Sequence, residues 1–377
     1  MVAQPIVVTF SANMAFRRST MKHIYRIITV PVMAVLLCAG SVCAAAEEER
    51  TKFSLAWSIY VGFMPWAYMD EAGIMDKWAK KYGIEVDLVQ INDYIEAINM
   101  YTVGEFDGAT MTNMDMLTIP SASGVDTTAL ITGDFSNGND AVVLKGRDSM
   151  QDIKGMDVYL LELSVSHYAL ARALEMAGLS ERDVTLINTS DADIATMFKN
   201  SDVQAATLWN PQLQMAMQEP DAVKVFDSSQ IPGEILDVMG VNSATLKKYP
   251  ALGKAVTGAW FETVAILQGD SPQAIEAKTY MGENSGTDLE GFELQLAATY
   301  MFKTPQEKLD YLTTERVRET MDFVTNFTFK HGLLGASAQS PDVIGIELPD
   351  GSILGNKDNV KMRYDHQFVR MAAEGSL

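Results

Sequence analysis

Cysteine is almost missing from this chain, occurring only as Cys38 and Cys43. Everything after them can form neither a disulfide nor a thiolate metal site, so an apolar core must hold it together. Positive charge is scarce too. Against 29 lysines and arginines stand 49 aspartates and glutamates, a formal net charge of −20. Such a protein is repelled by nucleic acid and by anionic membrane surfaces, and neither is expected as a partner. After residue 46 the histidines are His167, His331 and His366, too dispersed in sequence to suggest a metal cluster. The motifs G-x-S-x-G, H-E-x-x-H and the P-loop are missing, as is a G-x-G-x-x-G opening a helix. No metal, cofactor or catalytic residue is therefore expected.

Long apolar runs are confined to one place. From Met21 the chain carries Lys22, His23 and Arg26, then the run Ile27 to Val42, then Cys43, Ala44, Ala45 and Ala46 before Glu47. These are the three regions of a cleavable export signal. The run has about 16 residues and contains Pro31, where a membrane helix needs roughly 20. A lipid anchor requires small residues before its cysteine, but Leu37 precedes Cys38 and Val42 precedes Cys43. Cleavage is expected after Ala44 or Ala46, and residues 1–20 add nothing a signal requires, which makes Met21 a candidate start. Losing the signal removes both cysteines and the four charges of Arg17, Arg18, Lys22 and Arg26, shifting the formal charge from −20 to −24. The expected location is the periplasm.

Beyond Glu47 the chain alternates short β-rich runs with helical stretches, the pattern of parallel sheets with crossover helices. Strands are expected at Phe53–Trp57, Ile84–Gln90, Asp107–Met111 and Thr128–Thr132, with helices at Trp66–Tyr82, Tyr94–Val103 and Met114–Ser121. A second set begins at Ala141–Leu144 and runs through strands at Asp157–Leu161, Val184–Asn188, Ala205–Leu208 and Val223–Phe226, with helices at Ser166–Ala177, at Ala192–Asn200 and from Pro211. A strand Ile235–Val241 then leads into mostly helical sequence. The fold class is α/β: a first lobe from 47–137 and 230–334, a second from 138–229, and two crossings between them. Residues 335–377 are expected to form a hairpin near Pro349 and Gly351 and a loosely ordered tail.

Ligands of open α/β sheets sit beyond the carboxyl ends of the strands. The loops there offer Tyr60 and Trp66, Asp93, Asn113 and Asp115, Asp134, Glu162, Ser166 and His167, and Trp209 and Asn210. Each has a plainer reading. Ser166 and Asn210 suit helix caps, Trp57, Tyr60, Phe63 and Trp66 suit a core, the acids suit caps or solvated positions, and His167 suits a structural hydrogen bond. Yet between Phe53 and Asp140 the basic residues are Lys77, Lys80 and Lys81, all on one expected helix. Loops rich in aromatics and acids but poor in cations favour a neutral polar or cationic ligand.

Several segments resemble one family. The aromatic loop Trp57–Trp66, the turn Gly104-Glu105-Phe106-Asp107-Gly108 leading to Thr112-Asn113-Met114-Asp115, and the Trp209-Asn210-Pro211 corner are similar, in order, to the nitrate, sulfonate and taurine class of ABC-transporter solute-binding proteins. The segments Asp134–Asp140 and Glu162–Tyr168 resemble the branch associated with urea carboxylase genes. The resemblance implies a type II periplasmic-binding-protein fold, with two α/β lobes joined by a two-crossing hinge and a ligand cleft between them. It also implies a monomer that captures a small solute, guanidinium before urea, and delivers it to an ABC permease with its ATPase. Tyr60 and Trp66 would wall the site, Asp93, Asp115 and Glu162 would accept hydrogen bonds, and Asn113, Ser166 and Trp209 would orient the ligand. The alternatives are a nitrate, sulfonate or taurine binder, and an enzyme on the same fold akin to pyrimidine-precursor synthases.

Overall fold

The computed structural model describes residues 50–377, so the export segment lies outside the described residues. Among the described residues fourteen strands form two sheets. In chain order they are β1 (Lys52–Trp57), β2 (Glu85–Gln90), β3 (Gly108–Thr112), β4 (Thr127–Ser136), β5 (Asp140–Lys145), β6 (Asp157–Leu160), β7 (Thr185–Asn188), β8 (Ala205–Trp209), β9 (Ala222–Asp227), β10 (Leu236–Asn242), β11 (Thr299–Met301), β12 (Gly345–Glu347), β13 (Ile353–Gly355) and β14 (Val360–Tyr364). The larger sheet has the order β13-β12-β14-β4-β10-β3-β1-β2, with β11 added to the end of β4, and the smaller has the order β7-β6-β8-β5-β9. Parallel pairs carry the crossover helices, such as β1 with β2 and with β3, and β6 with β7 and with β8. The returning strand β10 lies antiparallel between β3 and β4. This mixed α/β architecture with two sheets is the one the alternation predicts.

The chain leaves the larger sheet at Ser136 and enters the smaller at Asp140, then returns between Asp227 and Leu236. The two passages are stitched together. Ser136 Oγ and Ser228 Oγ lie 2.6 Å apart, and the Gly138 N–H donates to Ser228 Oγ at 2.7 Å.

Three expectations change. The helix expected over Trp66–Tyr82 is two helices, Met64–Glu71 and Ile74–Lys81, broken at Gly73, whose φ of 65° lies in the left-handed region that favours glycine. β4 continues past Thr132 to Ser136 because β10 and β11 pair with its second half, so Asp134 lies in a strand and not in a loop. The hairpin near Gly351 forms from β12 and β13, but the segment after it is no loose tail. β14 pairs in parallel with β4, and the helix Gln367–Ala373 buries Phe368 and Val369. Phe368 and Val369 form only a two-residue apolar step between Gln367 and Arg370, so their burial is weakly marked in sequence. Among the described residues no helix is long and apolar enough to cross a membrane.

Candidate functional site

The described surface folds inward where the two sheets face each other, around about 340 Å³ of empty space, part of it continuous with solvent. Ser58, Tyr60 and Phe63 come from the loop after β1, Tyr94 opens the helix Tyr94–Thr102, Thr112 ends β3, and Asp237 belongs to β10. The smaller sheet contributes Asp140 at the start of β5, Trp209 at the end of β8, and Val165 at the head of the helix Val165–Met176. Tyr94 and Trp209 meet edge to face across this space, with ring centroids 5.8 Å apart. Tyr60 packs edge to face on Phe63 at 5.1 Å. The walls are thus aromatic, and the polar groups between them are hydroxyls and carboxylates. No lysine, arginine or histidine among the described residues lines the space.

Four buried aspartates gather here. Asp134 and Asp237 are register partners on β4 and β10, exposed by 0% and 4%. Among the described residues, both oxygens of Asp134 and Oδ2 of Asp237 find no hydrogen-bond donor outside the pair itself. Asp134 lies under Gly62, where a Cβ would come within 2.5 Å of its Oδ2, so only glycine lets the loop pass so closely. Burial pushes the Asp134 carboxyl up, and burial together with the neighbouring Asp134 charge pushes Asp237 well up. Burial also raises Asp140 to about 6, against a hydrogen bond from Ser136. Asp115 stands one layer back. Tyr94 donates to its Oδ2 at 2.6 Å and Thr112 Oγ1 at 2.9 Å, Oδ1 is unpartnered, and burial raises the group to about 6. It holds in place two residues that line the cavity.

The expected site residues therefore divide. Tyr60 and Trp209 line the cavity, and Asp115 and Asp134 lie against it. Trp66 does not reach it: it is 1% exposed and packs on Trp260 at 5.0 Å as core. Asn113 is occupied in joining elements, donating to the Glu234 carbonyl at 3.1 Å and accepting from the Leu236 N–H at 3.1 Å. Asn210 donates to Asn139 Oδ1 and accepts from the Gln214 N–H, which fixes the corner. Ser166 lies behind Trp209, in a separate void of about 170 Å³. Asp93 caps its helix by accepting from the Glu96 N–H at 2.8 Å, and with the exposed Glu162 it borders an open outer groove of about 1400 Å³. Asp140 and Asp237 join the site without having been expected there. A lone acid within Ile235-Leu236-Asp237-Val238-Met239 is the signal the sequence offers, because an apolar strand does not bury a carboxylate without reason.

His167 is corrected in another way. Despite their separation in sequence, His331, which follows the helix Glu315–Lys330, packs against it with ring centroids 5.1 Å apart, and Glu181 joins both. The ligand atoms of His167, Glu181 and His331 lie within 4.8 Å of one another, close enough to ask whether they hold a metal. The hydrogen bonds argue otherwise. The Leu163 N–H donates to His167 Nδ1 at 3.2 Å, which puts the ring proton on Nε2, facing Glu181. That nitrogen donates to a carboxylate and has no lone pair to offer a cation.

The fold around this cavity is that of the periplasmic binding proteins. It is similar to the alkanesulfonate-binding protein SsuA from Xanthomonas axonopodis pv. citri bound to MOPS, with a TM-score of 0.62 and 14% identity, covering 76% of this chain and 95% of that one. The periplasmic nitrate-binding protein NrtA from Synechocystis PCC 6803 gives a TM-score of 0.61 at 13% identity, covering 87% and 89%. The chain belongs to the NMT1/THI5-like family, which it matches over residues 76–267. A curated relative, the taurine-binding periplasmic protein of Escherichia coli (strain K12), is 23% identical over 181 residues, which is 47% of this chain and 56% of that protein's length.

Proposed function

We propose that this chain is the extracytoplasmic solute-binding component of an ABC importer, and that its interlobe cavity captures a small cationic nitrogen compound, guanidinium before urea. One observation carries the choice of ligand: Asp115, Asp134, Asp140 and Asp237 are buried together, and among the described residues no cationic side chain compensates their charge. Burying several carboxylates without a partner is costly, and a planar cation that donates along its edges would offset that cost. Trp209, Tyr94 and Tyr60 offer π faces to the same ion. Family membership, the fold and the relatives' names support the binding-protein role, and the export signal supports a periplasmic location and delivery to a membrane permease.

The relatives named for taurine, alkanesulfonate and nitrate favour an anionic ligand instead, but a carboxylate-lined cavity repels an oxyanion. Calorimetric titration with guanidinium, urea, nitrate and taurine separates these readings. Binding of guanidinium, with urea weaker and the anions silent, is expected; binding of nitrate or taurine alone would overturn the charge argument. Chemical conversion of any bound compound would restore the enzyme reading.

A further inference from the structure

Asp134 and Asp237 set a problem that the choice of ligand alone does not solve. They are partners across β4 and β10, both buried, with three of their four oxygens receiving no hydrogen bond from any described residue outside the pair. Two neighbouring carboxylates buried in this way do not readily both ionise, because their mutual repulsion adds to the cost of burial. Among the described residues, the groups facing them bring no positive charge. Tyr60 turns a neutral hydroxyl toward Asp237 and eases it only in part, Asp140 from β5 adds negative charge, and Asp115 adds more beyond it. On the other side Trp260 packs against Gly133. Lys308 reaches β4 at the Leu130 carbonyl, but its charge is felt by Asp365.

We propose that in the ligand-free protein the Asp134–Asp237 pair holds one shared proton, and that a cationic ligand enters in exchange for it. The exchange rests on the cationic-ligand reading of the cavity. One positive charge arrives with the ligand and one leaves to solvent as a proton, so the net charge of the buried site is the same before and after. A pair that would be intolerable when fully ionised and empty is thereby kept ready for a cation. The exchange is also a selectivity device. Neutral urea brings no charge to replace the proton, so it binds to the protonated pair and gains nothing as pH rises, whereas guanidinium gains up to about tenfold in affinity per pH unit below the apparent pKa of the pair.

Calorimetry of the full exported chain in two buffers of different ionisation enthalpy counts the protons released. About one proton per guanidinium is expected near neutral pH, with none for urea, and Asp237→Asn and Asp134→Asn should each abolish the release. Guanidinium binding with no proton release and a flat pH profile would overturn the exchange while leaving the ligand assignment intact. Infrared difference spectra of the ligand-free protein test the proton independently, because a protonated-carboxyl C=O stretch should be present at neutral pH and lost in either variant. If guanidinium binds at no pH, the ligand assignment fails and the exchange with it; the infrared band then decides whether the pair holds a proton at all.

Discussion

The acids of this protein fall into two populations whose difference says what each is for. Glu234, between β9 and β10, accepts from Tyr168 at 2.6 Å and from Arg172 at 2.8 and 3.0 Å, and Asp126 is clasped by Arg363 through two bonds at 2.8 and 2.9 Å. At each of these two fasteners the fold supplies the cation. Asp134, Asp140 and Asp237 are more deeply buried and receive none from the described residues. Unpaired buried acids cost stability, and their concentration at one cavity between aromatic walls is the feature that the proposed cationic ligand would offset.

The largest effect is expected from substitution within the unpaired group. Asp237→Asn should weaken guanidinium binding at least a hundredfold, since breaking a buried charge pair costs about 3–5 kcal/mol, as read by calorimetry. The same change should raise the thermal midpoint of the ligand-free protein at pH 8, whereas Glu234→Gln should lower it. Opposite signs in one melting experiment would separate the two populations, and equal signs would collapse the comparison. Next in size, Trp209→Ala should cost guanidinium affinity about tenfold, the scale of a desolvated cation–π contact worth about 1–2 kcal/mol.

A separate effect, on stability and not on affinity, is expected from pH. Burial raises Asp115 and Asp140 from 3.8 to about 6, so the folded state holds more protons than the unfolded one across that window. Stability from these groups is complete below about pH 4 and is lost as pH rises to about 6, on the order of 1.4 kcal/mol per pKa unit. Asp126 opposes the trend. Its burial is outweighed by hydrogen bonds from Arg363 and Ser243, so its contribution disappears as pH falls below the usual carboxylate range. Melting of the ligand-free protein should therefore give a higher midpoint at pH 5 than at pH 8, and Asp140→Asn should flatten the difference. The smallest effect belongs to the outer groove. Asp93→Ala should cost about 1 kcal/mol of stability as a lost helix cap and leave guanidinium affinity within twofold.

Much of the architecture was legible because alternating periodicity reports which face of an element is buried. The strands at Phe53, Ala141 and Asp157 and the helices at Tyr94 and Ser166 stand within a residue or so of where the pattern put them. Legibility failed where tertiary pairing decided the outcome. β4 runs through Asp134 only because β10 and β11 lie beside it, and β14 is a strand only because β4 has a free edge for it. The site was half legible for the same reason. Loop position singled out Tyr60, Asp115, Asp134 and Trp209, but it could not tell these from Asp93 and Glu162, which follow strands equally closely and face the outer groove. Asp237 escaped a search of loops because it sits inside a strand.

A crystal structure of the protein with guanidinium bears most directly on the claim that the unpaired acids await a cation. The ion should lie in the cavity with its nitrogens within hydrogen-bond distance of the Asp237 and Asp140 carboxylates and its face toward Trp209. Density for it in the outer groove beside Asp93 and Glu162, with the buried acids untouched, would contradict the account.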